Sequence, residues 1–174
     1  MMRLGASLLG IALMVQPASA GQEVSNDMSQ LVADFGELSR TENLDLLVVH
    51  LNDKTTDVLF DPPAKYSFRA QARQATMFYV LGTANQDLTV DTEFMIRQNV
   101  VEMRLSPHNL QGFERGTTIA AGETFTGILT LPQLITLNLP FSIVHGPCDG
   151  EILRGCHILE FEFTPNILSQ LRTP

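Results

Sequence analysis

The chain has 174 residues, 44% of them hydrophobic, with 19 acidic residues against 11 Lys and Arg and a formal net charge of −8 at pH 7. The basic residues are scattered, Arg69 and Arg73 being the nearest thing to a pair, which argues against nucleic acid or an anionic membrane surface as a partner. The length suits one ordinary domain with a real hydrophobic core.

Residues 1–20, MMRLGASLLGIALMVQPASA, carry one charge, Arg3, then an almost unbroken apolar run, a helix-breaking Pro17 and the small residues Ala18, Ser19 and Ala20. That is the layout of a secretory signal peptide cleaved after Ala20. The apolar core is about a dozen residues, short of the roughly 20 a membrane span requires. No cysteine follows the cleavage site to take a lipid. Cleavage removes 20 residues and one positive charge, leaving 154 residues and moving the net charge from −8 to −9. No later stretch is apolar enough to insert in a membrane, and no Asn precedes a Ser or Thr by two positions. Export to the periplasm or beyond is therefore expected.

Residues 21–44 read as an N-terminal helix and its lead-in. Met28, Leu31, Val32, Phe35 and Leu38 recur at steps of three and four over residues 25–39, with Ser25, Asn26 or Asp27 placed to cap the start. A helix docked on the main body is expected. Gly36 weakens the helix by about 1 kcal/mol relative to Ala.

From residue 45 to residue 165 the period becomes two. Residues 46–51 (LLVVHL) and 76–81 (TMFYVL) are apolar runs of strand length. Tyr66, Phe68, Ala70 and Ala72 alternate with polar neighbours, as do Leu88 to Ile96, Val101 to Leu105, Phe125 to Leu131 and Leu159 to Phe163. Turn chemistry separates them at Asp61-Pro62-Pro63, Gly82 to Asn85, Pro107-His108-Asn109, Ala121-Gly122-Glu123 and Gly146-Pro147. Seven or eight short strands with no helical pattern between them predict an all-β, antiparallel, immunoglobulin-like β-sandwich, with a small barrel as the other arrangement. The Cys…Trp…Cys core of antibody domains is absent, so the likeness is one of architecture only. Residues 166–174 read as a tail that adds a helical turn through Ile167, Leu168 and Leu171 or lies across the body.

Special residues concentrate in HGPCDGEILRGCH, from His145 to His157. Glycines near both ends of a hairpin allow Cys148 and Cys156 to approach to the separation a disulfide needs, and an exported pair of cysteines is usually bonded. The competing reading is a zinc or copper site from Cys148, Cys156, His145 and His157. Against it, neighbours on a strand point to opposite faces, so Cys156 and His157 do not easily face one ion. His50 reads as a partly buried, hydrogen-bonded histidine, and His108 as exposed. Met103 reads as core, while Met77 and Met95 offer further soft sulfur. Asp91 and Glu93, and Glu160 and Glu162, read as the solvated face of the sheet.

The chain has no G-x-S-x-G, H-E-x-x-H or S-x-x-K motif, and no Gly-rich phosphate loop after residue 20. The expected function is that of an exported, non-catalytic binding or accessory protein without a cofactor, contacting a protein partner of the cell envelope. The binding loop would carry His145, Asp149, Glu151 and His157. The alternative is a periplasmic copper or zinc carrier using histidines and methionines.

Overall fold

The computed structural model describes residues 21–148 and 155–171. The leader and the loop residues Asp149 and Glu151 thus lie outside the described residues. The fold is mostly β. Strands β1 (Gly36–Arg40), β2 (Leu44–His50), β3 (Thr76–Ala84), β5 (Phe94–Gln98), β6 (Val101–Gln111), β8 (Thr124–Leu131), β9 (Phe141–His145) and β10 (His157–Phe161) form one antiparallel sheet in the order β1-β2-β3-β8-β6-β5-β9-β10. Strands β4 (Leu88–Thr89) and β7 (Thr118–Ile119) pair separately. The large sheet curls until it is nearly closed into a barrel. Its two edges meet through side chains, Ser39 Oγ of β1 lying 3.0 Å from His157 Nδ1 of β10.

The curl turns on β6. Residues 101–105 pair with β5 and residues 106–111 with β8, so one strand serves two ladders. Pro107 sits just past the crossing, within the strand. The turn expected at Pro107-His108-Asn109 is therefore corrected: the chain stays extended, and His108 is exposed on it. The long strand expected over residues 88–96 is also interrupted. Asp91 Oδ1 accepts a hydrogen bond from the Glu93 backbone N–H at 2.9 Å, a local turn that competes with the ladder and sets β5 off from β4.

Inside, aromatic rings fill the barrel. Phe78, Phe141, Phe161 and Phe163 pack together, Phe141 and Phe161 stacked at 4.9 Å. Phe113 and Phe125 stack at 5.3 Å nearer the other end. They fit because the strands beneath them carry glycine. A Cβ on Gly82 would lie 2.2 Å from Phe125 Cζ, and one on Gly127 would lie 2.0 Å from Phe113 Cδ1. A ring over a strand glycine restores the burial that the missing side chain forfeits.

The expected N-terminal helix is present as α1 (Gly21–Phe35), with Leu31 and Phe35 buried against the sheet. It ends earlier than residue 39. A Cβ on Gly36 would come within 2.8 Å of the Val32 carbonyl oxygen, and from there the chain pairs with β2, Leu38 opposite Leu47. Leu38 thus belongs to a strand and is exposed.

The larger correction lies between β2 and β3, where two helices replace the expected strand. In α2 (Asp53–Leu59), Asn52 caps the start, its Oδ1 accepting from the backbone N–H of Lys54 and Thr55, while Thr55 Oγ1 accepts from the Asn52 N–H at 2.7 Å. In α3 (Ala64–Ala72) the alternation of Tyr66, Phe68, Ala70 and Ala72 is coincidental. Phe68 and Ala72, four residues apart, pack under the helix, whereas Tyr66 and Ala70 face solvent. These helices cover the outer face of the sheet over Leu51, Met77 and Ile128. That cover explains why residues 76–81 are apolar on both faces. At the C-terminus, α4 (Pro165–Leu171) lays Ile167, Leu168 and Leu171 on the core.

Candidate functional site

Residues 145–148 and 155–157 of the cysteine–histidine segment lie at one end of the barrel. β9 and β10 are antiparallel neighbours in a register that places His145 opposite His157. Beyond these two residues the chain passes through Gly146 and returns through Gly155, with φ of 85° and 79°, a left-handed conformation that side chains resist. A Cβ on Gly146 would stand 2.3 Å from the Gly155 carbonyl oxygen, so the neck of the loop is as narrow as backbone allows. A disulfide joins Cys148, two residues past Gly146, to Cys156, which sits between Gly155 and His157, their Cα atoms 4.9 Å apart. The disulfide expected from the sequence is present, and its sulfurs are unavailable as thiolate ligands.

Both histidines of the neck point inward. His145 stacks on Phe94 with ring centroids 4.1 Å apart, and its Nδ1 donates to the Glu93 carbonyl at 3.1 Å. That bond leaves Nε2 as the acceptor nitrogen. Burial pushes the His145 pKa below its ordinary value, partly offset by the Glu93 carbonyl and by Asp91. The His157 ring spans the seam of the barrel, with Nδ1 3.0 Å from Ser39 Oγ and Nε2 3.4 Å from Thr41 Oγ1. Because the Thr41 hydroxyl already donates to the Leu44 carbonyl, it is free to accept from His157 Nε2, which leaves Nδ1 to accept from Ser39. Burial pushes the His157 pKa down to about 4, neighbouring His145 pushes the same way, and Asp45 opposes both. The two rings, 5.8 Å apart, are therefore uncharged at neutral pH.

A cavity of about 210 Å³ opens beside them, lined by Thr41, Leu44, Asp91 and Pro147 as well as the two rings. It lies below the 300–1,000 Å³ usual for small-molecule sites. Among the described residues no three His, Cys, Asp or Glu side chains are grouped closely enough to hold a metal ion. Chemically, this end of the barrel presents a rigid, cross-linked loop stem over a pair of neutral imidazoles.

The remaining sequence candidates are dispersed. His50 lies at the opposite end of the barrel, and His108 is on the outside. The expectation that His50 is hydrogen-bonded is corrected: it is buried between Phe78 and Phe163, and its Nδ1 has no partner. The Asp91–Glu93 face is not a free acidic patch, since Glu93 is paired with Arg104 at 2.9 Å and Arg115 at 3.4 Å. Glu160 and Glu162 are exposed, and Glu160 adds to the burial that raises the pKa of Glu37. Met103 is only half-buried, its sulfur accepting from Gln133 Nε2 at 2.9 Å. Ser39 and Thr41, which hold His157, carry no sequence signal, because they meet it only through closure of the sheet. Among the described residues no helix is long and apolar enough to cross a membrane.

Comparison of the chain with known protein families, with curated proteins and with solved structures finds no match.

Proposed function

We propose that the chain is an exported, non-catalytic binding or accessory protein that contacts a protein partner of the cell envelope through the loop between β9 and β10. The observation that carries this reading is the loop stem, pinched at Gly146 and Gly155 and cross-linked through Cys148–Cys156. A stem held this way loses little conformational freedom on binding, so more of the contact energy made there becomes affinity. His145 and His157 serve as the buried base of the stem, and Asp149 and Glu151 supply its contact chemistry. In this reading the immunoglobulin-like sandwich describes the two layers, β1-β2-β3-β8 against β5-β9-β10, with β6 common to both. Residues 1–20 deliver the chain to the periplasm or beyond.

Two measurements test the proposal. The N-terminal sequence of the chain recovered from the periplasm should begin at Gly21. An envelope extract passed over the immobilised protein should yield a specific partner that the Asp149→Lys, Glu151→Lys double variant no longer retains. Capture of abundant bystanders alone, equal for both proteins, would end the loop reading. The copper or zinc carrier rests on the His145–His157 pair, whose rings stand 5.8 Å apart. Elemental analysis after loading with Cu(I), Cu(II) or Zn(II) and dialysis separates it from the first reading, since a binding module of this kind retains no metal.

A further inference from the structure

The opposite end of the barrel carries a second feature, independent of the loop. A cavity of about 510 Å³ lies between α2, the segment that follows β8, and α4, within the size range of small-molecule sites. Leu51, Leu134, Leu137 and Leu171 supply its apolar walls. His50, the last residue of β2, lines it with only 6% of its surface exposed. The ring is wedged between Phe78 and Phe163, at centroid distances of 5.5 and 5.6 Å. Its Nδ1 is sealed off without a hydrogen-bond partner. A buried polar ring left unpaired is uncommon in a settled fold and points to a missing partner. The ring forms part of the cavity lining.

The rim has the opposite character. Asp53 and Arg73 neutralise each other across 2.5 Å. Lys54 has no acidic partner among the described residues, its Nζ reaching only Gln170 Oε1 at 2.6 Å. The mouth thus carries one uncompensated positive charge, the interior is apolar, and the far wall holds an unpaired imidazole. We propose that this cavity binds a small amphipathic carboxylate, an aliphatic acid whose carboxylate meets Lys54, whose chain lies against the leucines, and whose inner end offers a hydroxyl to His50. A hydroxyl suits either tautomer of a neutral ring, since it both donates and accepts. An anion buried against that neutral ring would be left unpaired, which places the charged end of the ligand at the rim.

The test uses the full chain, with ω-hydroxydecanoate as probe, isothermal titration calorimetry for affinity and the His50 ring resonances as reporter. The variants are His50→Phe, which keeps a ring of similar size without nitrogen, Lys54→Gln at the surface, and Leu137→Trp, which fills the cavity. The expected result is saturable one-to-one binding that shifts the His50 signals. Binding should weaken about tenfold in His50→Phe and in Lys54→Gln, and be lost in Leu137→Trp. Decanoate, lacking the hydroxyl, should bind about tenfold more weakly than the probe to the natural chain and equally well to His50→Phe. Absence of saturable binding overturns the proposal, as does binding that survives Leu137→Trp. Equal binding of ω-aminodecanol would overturn it too, because the rim would then not select an anion. Lys54→Gln leaves the core untouched, so it remains decisive should His50→Phe misfold.

Discussion

Acidification should destabilise this fold through its buried imidazoles, and His50 provides the cleanest measure. Its pKa is pushed from 6.5 down to about 4 by burial alone. The unfolded chain binds the proton readily below pH 6.5, while the folded chain resists it down to about pH 4. Stability from this group is therefore fully present above pH 6.5 and is lost as the pH falls from there to 4. Between pH 7 and 4.5 the linkage amounts to about 2 kcal/mol for His50. His157, lowered to the same value, acts in the same direction, and His145 adds to it. The assay is urea denaturation at the two pH values for the natural chain and for His50→Phe. The variant should lose about 2 kcal/mol less on acidification, and at pH 7 it should be as stable as the natural chain or up to about 1 kcal/mol more stable, because it also removes an unpaired nitrogen. Ordinary carboxylate titration is common to both proteins and cancels in the difference. If both lose the same stability to within about 0.5 kcal/mol, His50 is not buried and neutral as described, and the reasoning fails.

Three further outcomes are expected. Cys148→Ser opens a short loop and should cost about 2.5 kcal/mol in chemical denaturation without changing the far-ultraviolet circular dichroism, whereas an unaltered midpoint would show that the cross-link contributes nothing. Gly82→Ala places a methyl group inside the Phe125 ring and should cost about 1–3 kcal/mol; pairing it with Phe125→Leu should recover part of that loss, a coupling that unrelated sites would not show. Asn52→Ala removes the cap of α2 and should lower stability by about 1 kcal/mol, read from the thermal midpoint.

How far the fold can be read from the residues depends on how local the cause is. The strands over residues 46–51 and 76–81 declare themselves as apolar runs of strand length, and that over residues 125–131 by alternation with threonine. The disulfide is legible because glycines flank both cysteines. α3 is misread because Ala and Gln in alternation satisfy a period of two, while only Phe68 and Ala72 report the helix by packing. α2 does carry a signal, the Asn52–Thr55 capping pair, but its few apolar residues give no periodicity to support it. β9 escapes notice because it is only five residues long, a run too short to show a period of its own. The hydrogen bonds of His157 to Ser39 and Thr41 join residues more than a hundred positions apart. No local pattern announces a contact made only when the first and last strands of a sheet meet.

The strand that serves two ladders has a consequence for how this chain tolerates change. Residues 101–105 of β6 answer to β5 and residues 106–111 to β8, with no loop between them to absorb an error. Unless a second bulge like the one between Asn109 and Gln111 takes it up, a one-residue insertion near Ser106 turns the side chains of one ladder over, core face to solvent face, while the other stays in register. Length variation among descendants of this chain should therefore collect at the turns and leave β6 at its present length.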